Sequence, residues 1–143
     1  MPKGLLTVLM SKMEEIQFPL SHTSGLKEIY FTYLKSKLEG DYCDGKIRVG
    51  CNKEYCDRLD QIFIHEVGHH VDEETDWFSG DPLLVGEWVM LSGSMVHARI
   101  KSDVAEYWAI GFEKYYTGND MTSESHPFLW TCIDRLHHKK TNR

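Results

Sequence analysis

Leu5, Leu9, Met13 and Ile16 recur at helical spacing, which predicts an amphipathic helix over residues 4–16, closed by Phe18-Pro19. The pattern then changes. Residues 26–34 are rich in β-branched and aromatic types and predict a strand. Glu39-Gly40-Asp41 reads as a turn, and Tyr42 to Gly50 as a second strand or a hairpin around Asp44-Gly45. From Asp57 to Asp72 there is no proline, and Leu59, Ile62, Phe63, Ile64, Val67 and Val71 mark a buried helix. Asp81 as N-cap and Pro82 at the first helical position open another helix, which runs to about Leu91. Ser102 or Asp103 is the expected cap of a helix through Tyr116, ended by Thr117-Gly118-Asn119-Asp120. Pro127 opens a last helix with Phe128, Ile133 and Leu136 as core positions. The expected fold is α+β, a single domain over residues 1–143. A small sheet in the N-terminal half packs on the central helix, and the C-terminal half is mostly helical.

Composition narrows this picture. With 143 residues, 41% hydrophobic and 27% charged, the chain has the balance of one globular domain. A formal net charge of −6 speaks against a nucleic-acid partner. The one basic cluster, His137-His138-Lys139-Lys140, reads as the last turn of a helix. Cys43, Cys51, Cys56 and Cys132 form no CxxC pair, so a zinc ribbon is not expected. The first ten residues lead into Lys12, Glu14 and Glu15 with no small-residue cleavage site, and no apolar run approaches the ~20 residues of a membrane span. The expectation is a cytoplasmic protein with reduced thiols and no membrane contact.

The candidate chemistry lies at Ile64-His65-Glu66-Val67-Gly68-His69-His70. On a helix, His65 and His69 stand one turn apart on one face and can share a Zn²⁺, with Glu66 beside them as general base towards a metal-activated water. The alternative is a solvated face that happens to bear two histidines. The apolar Ile62-Phe63-Ile64 and a costly mid-helix glycine at Gly68, which implies close approach by another backbone, argue against it. His70 points about 100° away and is not expected to be a ligand. No third histidine follows at the metzincin spacing, where Asp72 and Thr75 stand. Two glutamates then compete as third ligand. Glu87 lies in Val85-Gly86-Glu87-Trp88. Glu106 stands alone among the apolar and aromatic residues of Val104 to Phe112, where a carboxylate must be paired or bind metal, and it is the favoured one.

At these residues the chain resembles the anthrax lethal factor-type metallopeptidases, which include secreted Pro-Pro endopeptidases. The resemblance runs from about Leu26 to Leu136. It comprises the strand Lys27 to Tyr33, Gly40-Asp41-Tyr42 leading into Lys46-Ile47-Arg48-Val49, the HEVGHHVD segment, Glu87-Trp88, Glu106-Tyr107-Trp108-Ala109 with Phe112, and the Pro127-Phe128 helix. It implies a minimal zincin fold, zinc, a glutamate third ligand at Glu106 (a gluzincin set), peptide hydrolysis, and Glu87 on a connecting helix. The chain departs from the family in two ways. The glutamate often found four residues after the ligand is Ile110, and no tyrosine lies between His69 and Glu106 to stabilise an oxyanion. His97 is the expected substitute donor, with Tyr115 and Tyr116 in reserve. Asp72 or Asp103 is expected either to orient a ligand or to be a solvated helix-end charge. The function expected is zinc-dependent endopeptidase activity on a protein or peptide substrate. Two alternatives stand beside it: a zinc-binding module that does not cut, and an intracellular HExxH protease of another family that cleaves a regulatory protein.

Overall fold

The computed structural model describes residues 2–32, 40–50, 58–75, 78–92, 100–118, 124 and 126–141. Helix α1 (Pro2–Glu15) buries Leu9 and Met13, the middle of the apolar stripe. It stops where Gln17 adopts φ 57° and the Phe18 N–H turns back to the Met13 carbonyl at 2.9 Å. Strand β1 (Glu28–Thr32) follows a 3₁₀ turn at Leu20–Thr23. Strands β2 (Gly40–Cys43) and β3 (Lys46–Gly50) form an antiparallel hairpin. Asp44 and Gly45 close it with φ values of 49° and 77°, the left-handed pair that a tight two-residue turn demands.

The sequence pattern did not show how the first strand pairs. β3 returns to lie parallel to β1, so the sheet order is β1-β3-β2, with β3 in the middle. Its alternation explains the choice: Ile47 and Val49 are fully buried while Lys46 and Arg48 face solvent. Among the described residues, β2 therefore has one free edge.

Helix α2 (Leu59–Glu74) lies between this sheet and helix α4 (Ile100–Thr117), and most of its circumference is buried. Helix α3 (Pro82–Ser92) comes between them in sequence. The Asp81 carboxylate accepts the Leu83 N–H at 2.8 Å, the cap expected ahead of Pro82. α4 begins at Ile100, so Ser102 and Asp103 lie inside its first turn and neither is its cap. An acidic residue suits either position, because the helix dipole favours negative charge throughout the first turn. α4 ends at Gly118, φ 75°. Helix α5 (Pro127–Thr141) packs on α4 with Ile133 and Leu136 buried and Phe128 partly so. No helix of the described residues is long and apolar enough to cross a membrane.

The α2–α4 contact positions the site. Trp108 and Phe112 of α4 are fully buried against α2, and Trp108 Nε1 donates to the Gly68 carbonyl at 2.9 Å. A Cβ on Gly68 would lie 3.1 Å from Phe112 Cβ and 3.2 Å from Ala109 Cα. The glycine therefore admits the neighbouring helix at a distance a larger residue would refuse.

Candidate metal centre

His65 and His69 stand one turn apart on the cleft face of α2, with ring centroids 5.1 Å apart. Glu106 reaches them from α4. Its Oε2 lies 3.2 Å from His65 Nε2 and its Oε1 2.8 Å from His69 Nε2. One ligand atom from each of the three residues falls within a 4.8 Å circle. A tetrahedral zinc with bonds of ~2.0–2.1 Å holds its ligand atoms about 3.4 Å apart, so small movements would close this set around a metal ion. The histidines are largely buried and Glu106 is half exposed, so the cluster opens to solvent on the glutamate side.

The electrostatics follow from this meeting. Hydrogen bonds from His65 and His69 hold the Glu106 carboxyl far below the usual carboxylate range. Burial pulls the His65 imidazole down, but its hydrogen bonds to Glu106 and Glu113 outweigh that and lift it to about 10. Protons thus bridge the carboxylate and the rings, and a bound cation would displace them. Glu66 is 6% exposed and lines the same cleft. Burial pushes its carboxyl up to about 7, against the opposing charges of His65 and His69. A group balanced there can both take and return a proton near neutral pH.

Glu113 was not foreseen. Its Oε1 lies 3.3 Å from His65 Nδ1, the ring nitrogen that faces away from the cluster. It stands two turns after Glu106, and Ala109 occupies the same stripe between them. Ile110, where the resembled family often has its second glutamate, is 41% exposed and turned outward. The support missing at position 110 comes from one turn further on. An i, i+7 offset from the favoured ligand, on a helix already expected, was the signal in the sequence.

Glu87 has other partners. Its Oε1 accepts from the Tyr107 hydroxyl at 2.8 Å and the Leu129 N–H at 3.0 Å, and its Oε2 accepts from the Phe128 N–H at 2.6 Å. It therefore satisfies the open N–H groups at the start of α5. The reserve tyrosines face α5 as well: the Tyr115 hydroxyl donates to Asp134 at 2.6 Å, and the Tyr116 hydroxyl lies 2.7 Å from His22 and 3.1 Å from His137. Asp72, expected as a ligand-orienting or solvated charge, is neither. It is fully buried, and its Oδ1 accepts the Ser79 N–H at 2.8 Å, which ties the 3₁₀ turn Phe78–Gly80 to the end of α2. His97 lies outside the described residues, and so does the side chain of Asp103.

β2 walls the cleft, whose volume is about 570 Å³, from Gly40 to Asp44, opposite His65, Glu66, His69 and Glu106. Compared with family models, with curated proteins and with solved structures, the chain finds no match in any of the three.

Proposed function

We propose that this chain is a zinc-dependent endopeptidase in which His65, His69 and Glu106 hold the metal and Glu66 is the general base. One observation carries the reading. Both imidazole Nε2 atoms of an HExxH helix meet a carboxylate from another helix, beside a buried carboxyl in the same cleft. Two nitrogens and one oxygen suit zinc better than magnesium or calcium, which favour oxygen ligands throughout. When bound, zinc polarises a carbonyl and makes water ionise near neutral pH. Glu66 takes the proton of the attacking water and passes it to the leaving amine. Glu113 steadies the His65 ring. An extended peptide would lie along the free edge of β2, adding a strand to the sheet and carrying its scissile bond past the two histidines. The likeness to lethal factor-type enzymes supports the same assignment of Glu106. On this reading the setting is the cytoplasm, where unpaired thiols such as Cys43 and Cys132 persist.

A zinc-binding module that grips a protein without cutting it is the second reading. The commitments of Tyr107, Tyr115 and Tyr116 favour it, because each of these three tyrosine hydroxyls of α4 is engaged away from the cleft. Metal analysis and a peptide-library cleavage profile separate the two. The endopeptidase should carry about one zinc per chain and cut a subset of peptides, and Glu66→Gln should keep the zinc and stop cutting. Zinc without cleavage of any peptide would leave the module. A purified chain that neither contains nor takes up zinc would sink both.

A further inference from the structure

His70 follows a proposed metal ligand directly but points about 100° away from it around α2, towards β2, where it is 1% exposed. A buried imidazole needs both ring nitrogens satisfied. Nε2 lies 2.6 Å from the Ser24 carbonyl oxygen, which can only accept, so Nε2 carries a proton. Nδ1 is hydrogen-bonded to the Tyr42 hydroxyl at 2.9 Å. The phenol oxygen in turn accepts the Gly45 N–H at 3.0 Å. Burial and the neighbouring Glu73 carboxylate, itself within hydrogen-bonding reach, keep the phenol protonated.

The relay fastens one end of β2, at its turn into β3, to the active-site helix. The other end is fastened by close packing. A Cβ on Gly40 would lie 2.7 Å from Ile62 Cγ2, 2.8 Å from the Arg48 carbonyl oxygen and 3.5 Å from Glu66 Oε2. β2 is therefore held along α2 at two points, one beside Glu66 and one beside His70, with the metal cluster between them.

We infer that His70 is a positioning residue for substrate: through Tyr42 it sets the height of the β2 wall above the metal cluster and hence the fit of the bound peptide. The inference rests on the endopeptidase reading, since it needs β2 to be the strand on which the peptide lies. It assigns to the second histidine of His69-His70 a task separate from metal binding and from proton transfer.

Tyr42→Phe tests it, because the ring stays and only the hydroxyl goes. The expected result is a rise in KM of about tenfold, the worth of one hydrogen bond that held the wall, with kcat within about twofold and one zinc per chain retained. The affinity of the same peptide for a Glu66→Gln protein should weaken by a similar factor when Tyr42→Phe is added, as read by fluorescence anisotropy. His70→Asn offers an amide oxygen near the place of Nδ1 and should hold KM closer to wild type than His70→Leu. An unchanged KM in Tyr42→Phe overturns the inference. So does a fall in kcat and melting temperature with KM constant, which marks a general structural role. If the wild-type protein holds zinc but binds and cuts no peptide, the endopeptidase reading fails and the inference falls with it. That outcome is distinguished from the others because the unmutated protein already shows it.

Discussion

Glu87 and Glu106 look alike in sequence, each a lone carboxylate on an apolar helix, yet the α3–α5 corner and the α2–α4 layer use them in opposite ways. In the corner, two backbone N–H groups and a phenol saturate Glu87. All three donors are neutral and cannot be exchanged for a cation, so the carboxylate is locked into the fold. In the α2–α4 layer, Glu106 meets two imidazole nitrogens, which can bind metal through a lone pair once a cation takes the place of the bridging protons. Partial burial obliges Glu87 to find partners, whereas Glu106 is half exposed and is held by the two imidazoles it meets. The kind of partner decides whether the result is a cap or a metal site.

The sharpest way to break this contrast is to remove each carboxylate in turn. Glu106→Ala should abolish stoichiometric zinc binding, measured by metal analysis after dialysis, and His65→Ala or His69→Ala should do the same. Glu87→Ala should keep the zinc and instead lower unfolding stability by about 1 kcal/mol, since it strands part-buried donors at the start of α5. Zinc lost from a folded Glu87→Ala protein and kept by Glu106→Ala would reverse the assignment. Next in size is Glu66→Gln. It leaves the ligand set intact and should lower turnover by roughly 10²–10⁴-fold at unchanged zinc content. Wild-type turnover in that variant would remove Glu66 from its role.

How much of this was legible follows the range of the forces involved. The hairpin at Asp44-Gly45, the Asp81-Pro82 helix start and the His65–His69 pair are set by residues within four or five positions of one another, and each stands where the sequence put it. The choice of Glu106 rests on an expected burial that the structure does not show: its carboxylate is half exposed, and what singles it out is its meeting with His65 and His69. Pairings across the chain were not legible. The parallel match of β1 with β3 depends on which strand faces α2, and the partners of Asp72 depend on where the Phe78–Gly80 turn folds back. α4 starts two residues ahead of Ser102 and three ahead of Asp103, the caps expected for it, and Asp103 suits a first turn as well as a cap. Glu113 was hidden for a different reason. The family pattern directed attention to position 110, although the same helix offered a carboxylate two turns after Glu106.

Glu113 sharpens the comparison, because it extends the metal side of α4 by a second carboxylate. Glu113→Ala should weaken zinc affinity by about 10–100-fold, read by competition with a chromophoric chelator. Glu113→Gln keeps an acceptor for the His65 Nδ1–H and should fall between wild type and alanine. Equal affinity in all three proteins would reduce the 3.3 Å contact to an ion pair with no part in holding the metal.

The smallest effect is expected at Gly68, and it tests why the two layers can meet at all. In the α3–α5 corner the contact is made by a side chain that reaches. In the α2–α4 layer it depends on a side chain that is absent. The added methyl of Gly68→Ala would sit at 3.1–3.2 Å from Phe112 and from the backbone of α4 at Ala109. Those neighbours are a fully buried ring and a helix backbone, neither of which yields without moving others. Alanine gains up to about 1 kcal/mol in intrinsic helix propensity, while overpacking a dense core costs about 1–3 kcal/mol, so the net change should be a modest destabilisation. The same displacement would lift Glu106 away from both histidines, so zinc affinity should drop by a few-fold, less than for Glu113→Ala. Denaturant unfolding of the metal-free protein and chelator competition on the loaded one measure the two parts separately. A Gly68→Ala protein more stable than wild type, with unaltered zinc affinity, would show that α4 approaches α2 for reasons other than the missing side chain.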